Sequence, residues 1–200
     1  STSWFENFLN SNPFKYPKNG ELPCSMSFLD YLIVLDDLST GNLINLSAVE
    51  DLILFFQSQV ENFDFESLDH IDCVIHLAAQ ASVPLSISNF FESSKTNILS
   101  SLKVVDFCIK YGLPLVYASS SAIYGGMPLG DDEKDAVDLI SPYAADKLAL
   151  ELYAKVSSKT AGLSSIGLRF FNVYGPRQDP SNPYSGVISI FIDRSLSNRS

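Results

Sequence analysis

Positive charge is missing from a long part of this 200-residue chain: no Lys or Arg occurs between Lys18 and Lys95. Residues 1 to 94 hold two cations against thirteen acids, and residues 95 to 200 hold eleven against ten, for a total of −10. An acidic surface repels polyphosphate, so duplex nucleic acid is excluded as a partner. Glycine is scarce in the same half, where only Gly20 and Gly41 precede Gly112. No apolar run approaches the ~20 residues of a membrane span, and no cationic-plus-apolar signal peptide opens the chain. Three cysteines (Cys24, Cys73, Cys108) and two histidines (His70, His76) are too few and too widely spaced for a disulfide framework or a metal site. A reduced, cytoplasmic protein is the expectation.

What is present suits a packed α/β domain, since hydrophobic residues make up 46 % of the chain and aromatics 12 %. Short apolar runs at 31–36, 73–77, 113–118 and 165–170 read as buried strands. Between them, Ile98, Leu99, Leu102, Val105 and Ile109 recur at helical spacing, with Gly112 as the stop. Ser141-Pro142 reads as an N-cap followed by proline at the first helical position, opening a helix that runs to Gly162. Alternating strand and helix implies a doubly wound parallel sheet, whose ligands gather at the carboxyl ends of the strands. Those ends are Asp36, Leu77 to Gln80, Ser119 to Ser121, and Phe171 to Asn172. Cys73 and Cys108 fall on apolar faces and read as core, and His76 as a satisfied strand-end histidine.

The sharpest pattern is Ser120 followed by Tyr143-Ala-Ala-Asp-Lys147. On a helix, residues four apart share a face, so Tyr143 and Lys147 point together. A tyrosine with an ordinary pKa near 10 is a poor base at neutral pH, and a neighbouring ammonium would lower it. The same Tyr-x-x-x-Lys spacing also arises in helices that carry no site. Asp36, ending a strand, suits the ribose hydroxyls of a dinucleotide and would repel a 2′-phosphate, which favours NAD over NADP. A solvated turn acid or N-cap is the competing reading. Ala78 and Ala79 either let a ligand approach the backbone or simply pack the core. Arg177 suits a diphosphate through bidentate hydrogen bonds, or is a surface arginine.

The sequence resembles the extended short-chain dehydrogenase/reductase family, and within it the nucleotide-sugar 4-epimerases. The stretches that carry the likeness are Val34 to Gly41, His76 to Gln80, Ser119-Ser-Ser-Ala-Ile-Tyr-Gly125, Ser141 to Lys147, and Gly167-Leu-Arg-Phe-Phe-Asn-Val-Tyr-Gly-Pro-Arg-Gln-Asp-Pro180. The resemblance implies a Rossmann-like NAD-binding core over 31–180. It makes Tyr143 the base, Lys147 its tuner and a ribose ligand, and Ser120 the proton-sharing hydroxyl. It sets Asp36, Asp37, Leu77, Ala78, Ala79, Gln80, Ala81, Asn97 and Phe171 around NAD. Toward a UDP-sugar it sets Ser121, Phe170, Asn172 and Arg177. The implied reaction moves hydride from C4 of the sugar to NAD and back to the opposite face. Ser121 and Ala122 stand where dehydratases of the family carry acids, which favours epimerisation over 4,6-dehydration; a uronate epimerase is another reading within the family. A homodimer through helices near 96–111 and 143–161 is also implied.

One departure is large. The family's glycine turn precedes the acid matching Asp36, yet residues 12–26 hold one glycine and three prolines. Residues 1–30 are therefore expected to be atypical and to lack the first strand and phosphate loop. Residues 181–200 are expected to begin a substrate domain most of which is missing, so the chain reads as part of an epimerase. An inactive nucleotide-sugar-binding fragment is the reading outside enzyme chemistry.

Overall fold

The computed structural model describes residues 32–68, 70–126, 137–179 and 187–197. The expectation for residues 1–30 lies outside them. Contacts divide the chain into two units, one of 35–42 with 55–172, the other of 1–34, 43–54 and 173–200.

Five strands are described: β1 (Leu32–Asp36), β2 (Ile53–Gln57), β3 (Val74–His76), β4 (Leu115–Ser120) and β5 (Ser165–Phe170). β2 is additional to the four expected runs. β3, β4 and β5 form a parallel sheet in that order, with His76 opposite Tyr117 and Ser120 opposite Phe170. β1 and β2 form a two-stranded pair of their own. In the doubly wound order 3-2-1-4-5-6, the pair matches strands 3-2 and the triplet 4-5-6.

The helices are α1 (Val83–Ser88), α2 (Phe90–Tyr111), α3 (Pro142–Ala161) and α4 (Val187–Leu196). Local chemistry sets their ends. Ser141 caps α3 by accepting from the Ala144 N–H at 3.2 Å, and Pro142 has no N–H to leave orphaned. Gly112 and Gly162 close α2 and α3 in the left-handed region, at φ 65° and 72°, where a side chain would be strained. The Leu113 N–H then bonds back to the Cys108 carbonyl at 2.9 Å.

The core of the larger unit joins Val104, Val105 and Cys108 of α2 to Leu115 and Tyr117 of β4 and to Leu150 and Ala154 of α3. Leu115 and Leu150 are each 1 % exposed. Full burial of such a side chain contributes about 2–3 kcal/mol. Cys108 is buried as expected, but Cys73 is exposed, because it precedes β3 rather than lying within it. No helix among the described residues is long and apolar enough to cross a membrane.

Candidate active site

Because β3, β4 and β5 are parallel, their carboxyl ends share one sheet edge. That edge carries three predicted segments together: Leu77 to Gln80, Ser119 to Ser121, and Phe171 to Asn172. Helix α3 lies against it, and Tyr143 and Lys147 are both buried there. Lys147 Nζ donates to the Ala118 carbonyl at 2.8 Å and stands 5.8 Å from the centre of the Tyr143 ring. The Ser120 hydroxyl accepts from the Ala122 N–H at 3.1 Å and is the neighbour that acts to lower the pKa of the Tyr143 phenol.

The electrostatics differ from the sequence expectation. Burial pushes the Tyr143 phenol above its ordinary value, and the nearby Ser120 hydroxyl only partly offsets this. The lowering expected from Lys147 is not found. The physical reason is that Nζ is spent on a backbone carbonyl and is itself desolvated. Burial pulls Lys147 down to about 8, against the opposing charge of Asp146.

The strand β3 exit is held from two helices. Asn97 of α2 accepts from the Gln80 N–H at 2.8 Å and donates to the Gln80 carbonyl at 3.2 Å. Its amide also donates to Asp146 Oδ2 of α3 at 3.0 Å. The Gln80 amide, oriented to satisfy both its groups, donates to Ser93 Oγ at 2.8 Å and accepts from the Ser82 N–H at 2.9 Å. Ala78 packs against the core, as one of its two readings had it, while Leu77 and Ala81 are exposed. Ala79 is half-buried. His76 is buried against Ser101 Oγ at 3.3 Å, and burial and then the Lys147 charge depress it to about 4. It is neutral at pH 7 and serves as structure.

Asp36 and Asp37 are placed at the end of β1, Asp36 on its last residue and Asp37 just beyond. Each closes a short turn, Asp36 Oδ1 accepting from the Leu38 N–H at 2.7 Å and Asp37 Oδ1 from the Ser39 N–H at 2.9 Å. The turn-acid reading is thus realised, on one oxygen of each carboxylate. Phe171 stacks on Tyr124 at 6.3 Å, and Phe170 and Asn172 are exposed at the β5 exit. Arg177 belongs to the smaller unit, where Nη1 donates to the Asn45 carbonyl at 2.6 Å and φ is 70°. Its partner is therefore backbone, rather than another residue of the predicted set.

Sequence reasoning passed over several groups at this edge. Ser86 of α1, fully buried, accepts from the Tyr143 N–H at 3.2 Å and so caps the first turn of α3 from outside. Asp146, Glu151 and Arg169 were also missed. The four-residue period that aligned Tyr143 with Lys147 reaches Glu151 in one more step, a signal that was available.

The donor set suits a dinucleotide: carboxylates after β1, small residues after β3, and a lysine and a tyrosine against the end of β4. The comparisons point the same way. A UDP-N-acetylglucosamine 4-epimerase from Methanobrevibacter ruminantium M1, solved with UDP-N-acetylmuramic acid, is 37 % identical with a TM-score of 0.77, over 84 % of this chain and 56 % of that one. A Thermus thermophilus UDP-glucose 4-epimerase solved with NAD is 38 % identical with a TM-score of 0.73, over 84 % and 55 %. The UDP-glucose 4-epimerase of Mycolicibacterium smegmatis is 32 % identical over 176 residues, 84 % of this chain and 56 % of its own. A dTDP-glucose 4,6-dehydratase of Streptomyces niveus matches too, at 31 % over 180 residues, 86 % of this chain and 53 % of its own. The chain thus spans about half the length of the relatives it matches. The model of the NAD dependent epimerase/dehydratase family matches residues 32–200, and the chain belongs to that family.

Proposed function

We propose that this chain serves NAD-dependent epimerisation at C4 of a UDP-hexose or UDP-N-acetylhexosamine, through a 4-keto sugar. The observation that carries the reading is the convergence of Ser120, Tyr143 and Lys147 where α3 meets the end of β4. When bound, NAD supplies reversible hydride removal at C4. Tyr143 takes the proton of the sugar 4-hydroxyl, and Ser120 holds that hydroxyl and shares the proton. Lys147 titrates near 8 and is the cation on the same helix face. Moving Nζ from the Ala118 carbonyl toward the phenol oxygen would stabilise the phenolate as it forms. Asn97 and Asp146 fix the Gln80 backbone, which together with Ala78, Ala79 and Ala81 forms one wall for the cofactor. Asp36 and Asp37 meet its adenosine ribose, and Phe171 its nicotinamide end. Ser121, Phe170, Asn172 and Arg177 meet the nucleotide sugar.

The turn after Ser120 supports epimerisation over dehydration, because Ser121 and Ala122 offer no acid to expel a 6-hydroxyl. Exposed Leu99 on α2 and Leu152, Tyr153 and Val156 on α3 support a homodimer through these helices. A cytoplasmic setting fits the two free cysteines among the described residues, Cys73 and Cys108.

Incubation with NAD and either UDP-glucose or UDP-N-acetylglucosamine, followed by proton NMR of the anomeric region, tests the reading. The C4 epimer is the expected product, and a Tyr143→Phe variant should not form it. Accumulation of a 4-keto-6-deoxy sugar would favour a dehydratase. No turnover, with retained sugar binding, would favour a binding module.

A further inference from the structure

We propose that Glu151 is a positioning residue for the catalytic face of α3, acting through Ser119 and Arg169; the inference rests on the epimerase reading and deepens it. Tyr143, Lys147 and Glu151 are spaced by four and share one helix face. Each engages one of three consecutive residues at the end of β4. Lys147 donates to the Ala118 carbonyl at 2.8 Å, the Ser120 hydroxyl is the neighbour that tempers the Tyr143 phenol, and Glu151 Oε1 accepts from Ser119 Oγ at 2.5 Å. Only the first contact uses backbone, and only the third is reinforced from a second strand.

That reinforcement is a bidentate pair. Arg169 Nε and Nη2 of β5 donate to the two Glu151 oxygens at 2.8 and 2.7 Å. Ser119 and Arg169 are register partners across β4 and β5, so one carboxylate spans both strands. The Glu151 and Arg169 side chains are 19 % and 25 % exposed, unlike a solvated surface pair. Burial disfavours the Glu151 carboxylate, but Arg169 and Ser119 outweigh it and hold its pKa below the ordinary range. The guanidinium carbon lies 4.9 Å from the centre of the Tyr124 ring, which in turn stacks on Phe171. Glu151 therefore fixes the height and rotation of α3 against the strand ends where Ser120 and Phe171 sit. A helix free to slip there would part the Tyr143 phenol from Ser120 while leaving the rest of the edge intact.

The test uses the whole chain with tyrosines labelled at 13Cζ, the Tyr143 resonance being identified by its loss in Tyr143→Phe. Its chemical shift at neutral pH reads the influence of Ser120 on the phenol, and Ser120→Ala supplies the value without that hydroxyl. In Glu151→Ala the resonance should move to the Ser120→Ala position. Glu151→Gln, which keeps an oxygen for Ser119, should lie between that position and the parent. Turnover should fall about tenfold in Glu151→Ala, with KM for the sugar changed less than about twofold. If Glu151→Ala fails to fold, Glu151→Gln and Ser119→Ala give the same readout. A Tyr143 resonance at the parent position in any folded member of this set overturns the proposal. The resonance needs neither NAD nor sugar. A parent chain that does not epimerise but shows these movements keeps the clamp and overturns the epimerase reading alone.

Discussion

Replacing Lys147 by methionine removes a buried ammonium while nearly keeping the length of its stem. The ordinary lysine value is 10.5, and desolvation in the folded chain lowers it to about 8. Between those limits the unfolded chain binds more protons than the folded one, so stability rises with pH across that window. Below about pH 8 the whole cost of holding the charge in the fold is in place. At ~1.36 kcal/mol per pH unit it comes to about 3 kcal/mol. Methionine avoids that cost but withdraws the hydrogen bond from the Ala118 carbonyl, a loss of about 1–2 kcal/mol. Lys147→Met is therefore expected to be more stable than the parent by about 1–2 kcal/mol near pH 7. The advantage should shrink through pH 8 to 10.5 and be gone by its end. Urea unfolding followed by far-UV circular dichroism at several pH values gives the two stability curves. Their difference isolates Lys147, since His76, which feels its charge, titrates near 4, well below the window. A difference that stays flat from about pH 7 to 10.5 would falsify the claim that burial depresses this lysine.

Three further outcomes follow from the same arrangement. His76 is held neutral, with its pKa lowered from 6.5 to about 4, so the unfolded chain gains protons first as the solution is acidified. Stability should fall by about 3 kcal/mol between those pH values, and guanidinium titrations of His76→Gln should show a flatter acid limb. Gly167→Ala should destabilise by about 1–3 kcal/mol, read as a lowered Tm, because a Cβ there would lie 2.5 Å from the Tyr117 ring across the β4–β5 ladder. Tyr143→Phe should cut kcat by about 10²–10⁴-fold while NAD binding, measured by calorimetry, stays within a few-fold; an active variant would remove Tyr143 from the role of base.

The parts of this fold legible in the sequence are those fixed by chemistry within a few residues. Ser141 and Pro142 announced the start of α3, Gly112 and Gly162 the ends of α2 and α3, and the run 165–170 coincides with β5. β2 escaped notice because Ile53 to Gln57 has no glycine, proline or turn acid of its own after it, and a short apolar run does not declare its type. The pairing of Tyr143 with Lys147 could be read because helical period alone dictates it. Asn97 with Asp146, 49 residues apart, could not, because that contact exists only once α2 and α3 pack. Glu151 with Arg169 likewise depends on the β4–β5 register.

The sign of the Tyr143 shift was out of reach for a related reason. Proximity of a cation in sequence says which groups share a face, but burial decides which of them holds its charge. Here the helix brings the tyrosine and the lysine to the strand ends through the same packing that withdraws them from water. Both are therefore displaced toward their neutral forms, the phenol upward and the ammonium downward. At pH 7 the lysine still carries its charge, and in the proposed reaction it would leave the Ala118 carbonyl to favour the phenolate. The residues that keep α3 in place, Ser86 at its first turn and Glu151 two turns beyond Tyr143, determine how far it must move to do so.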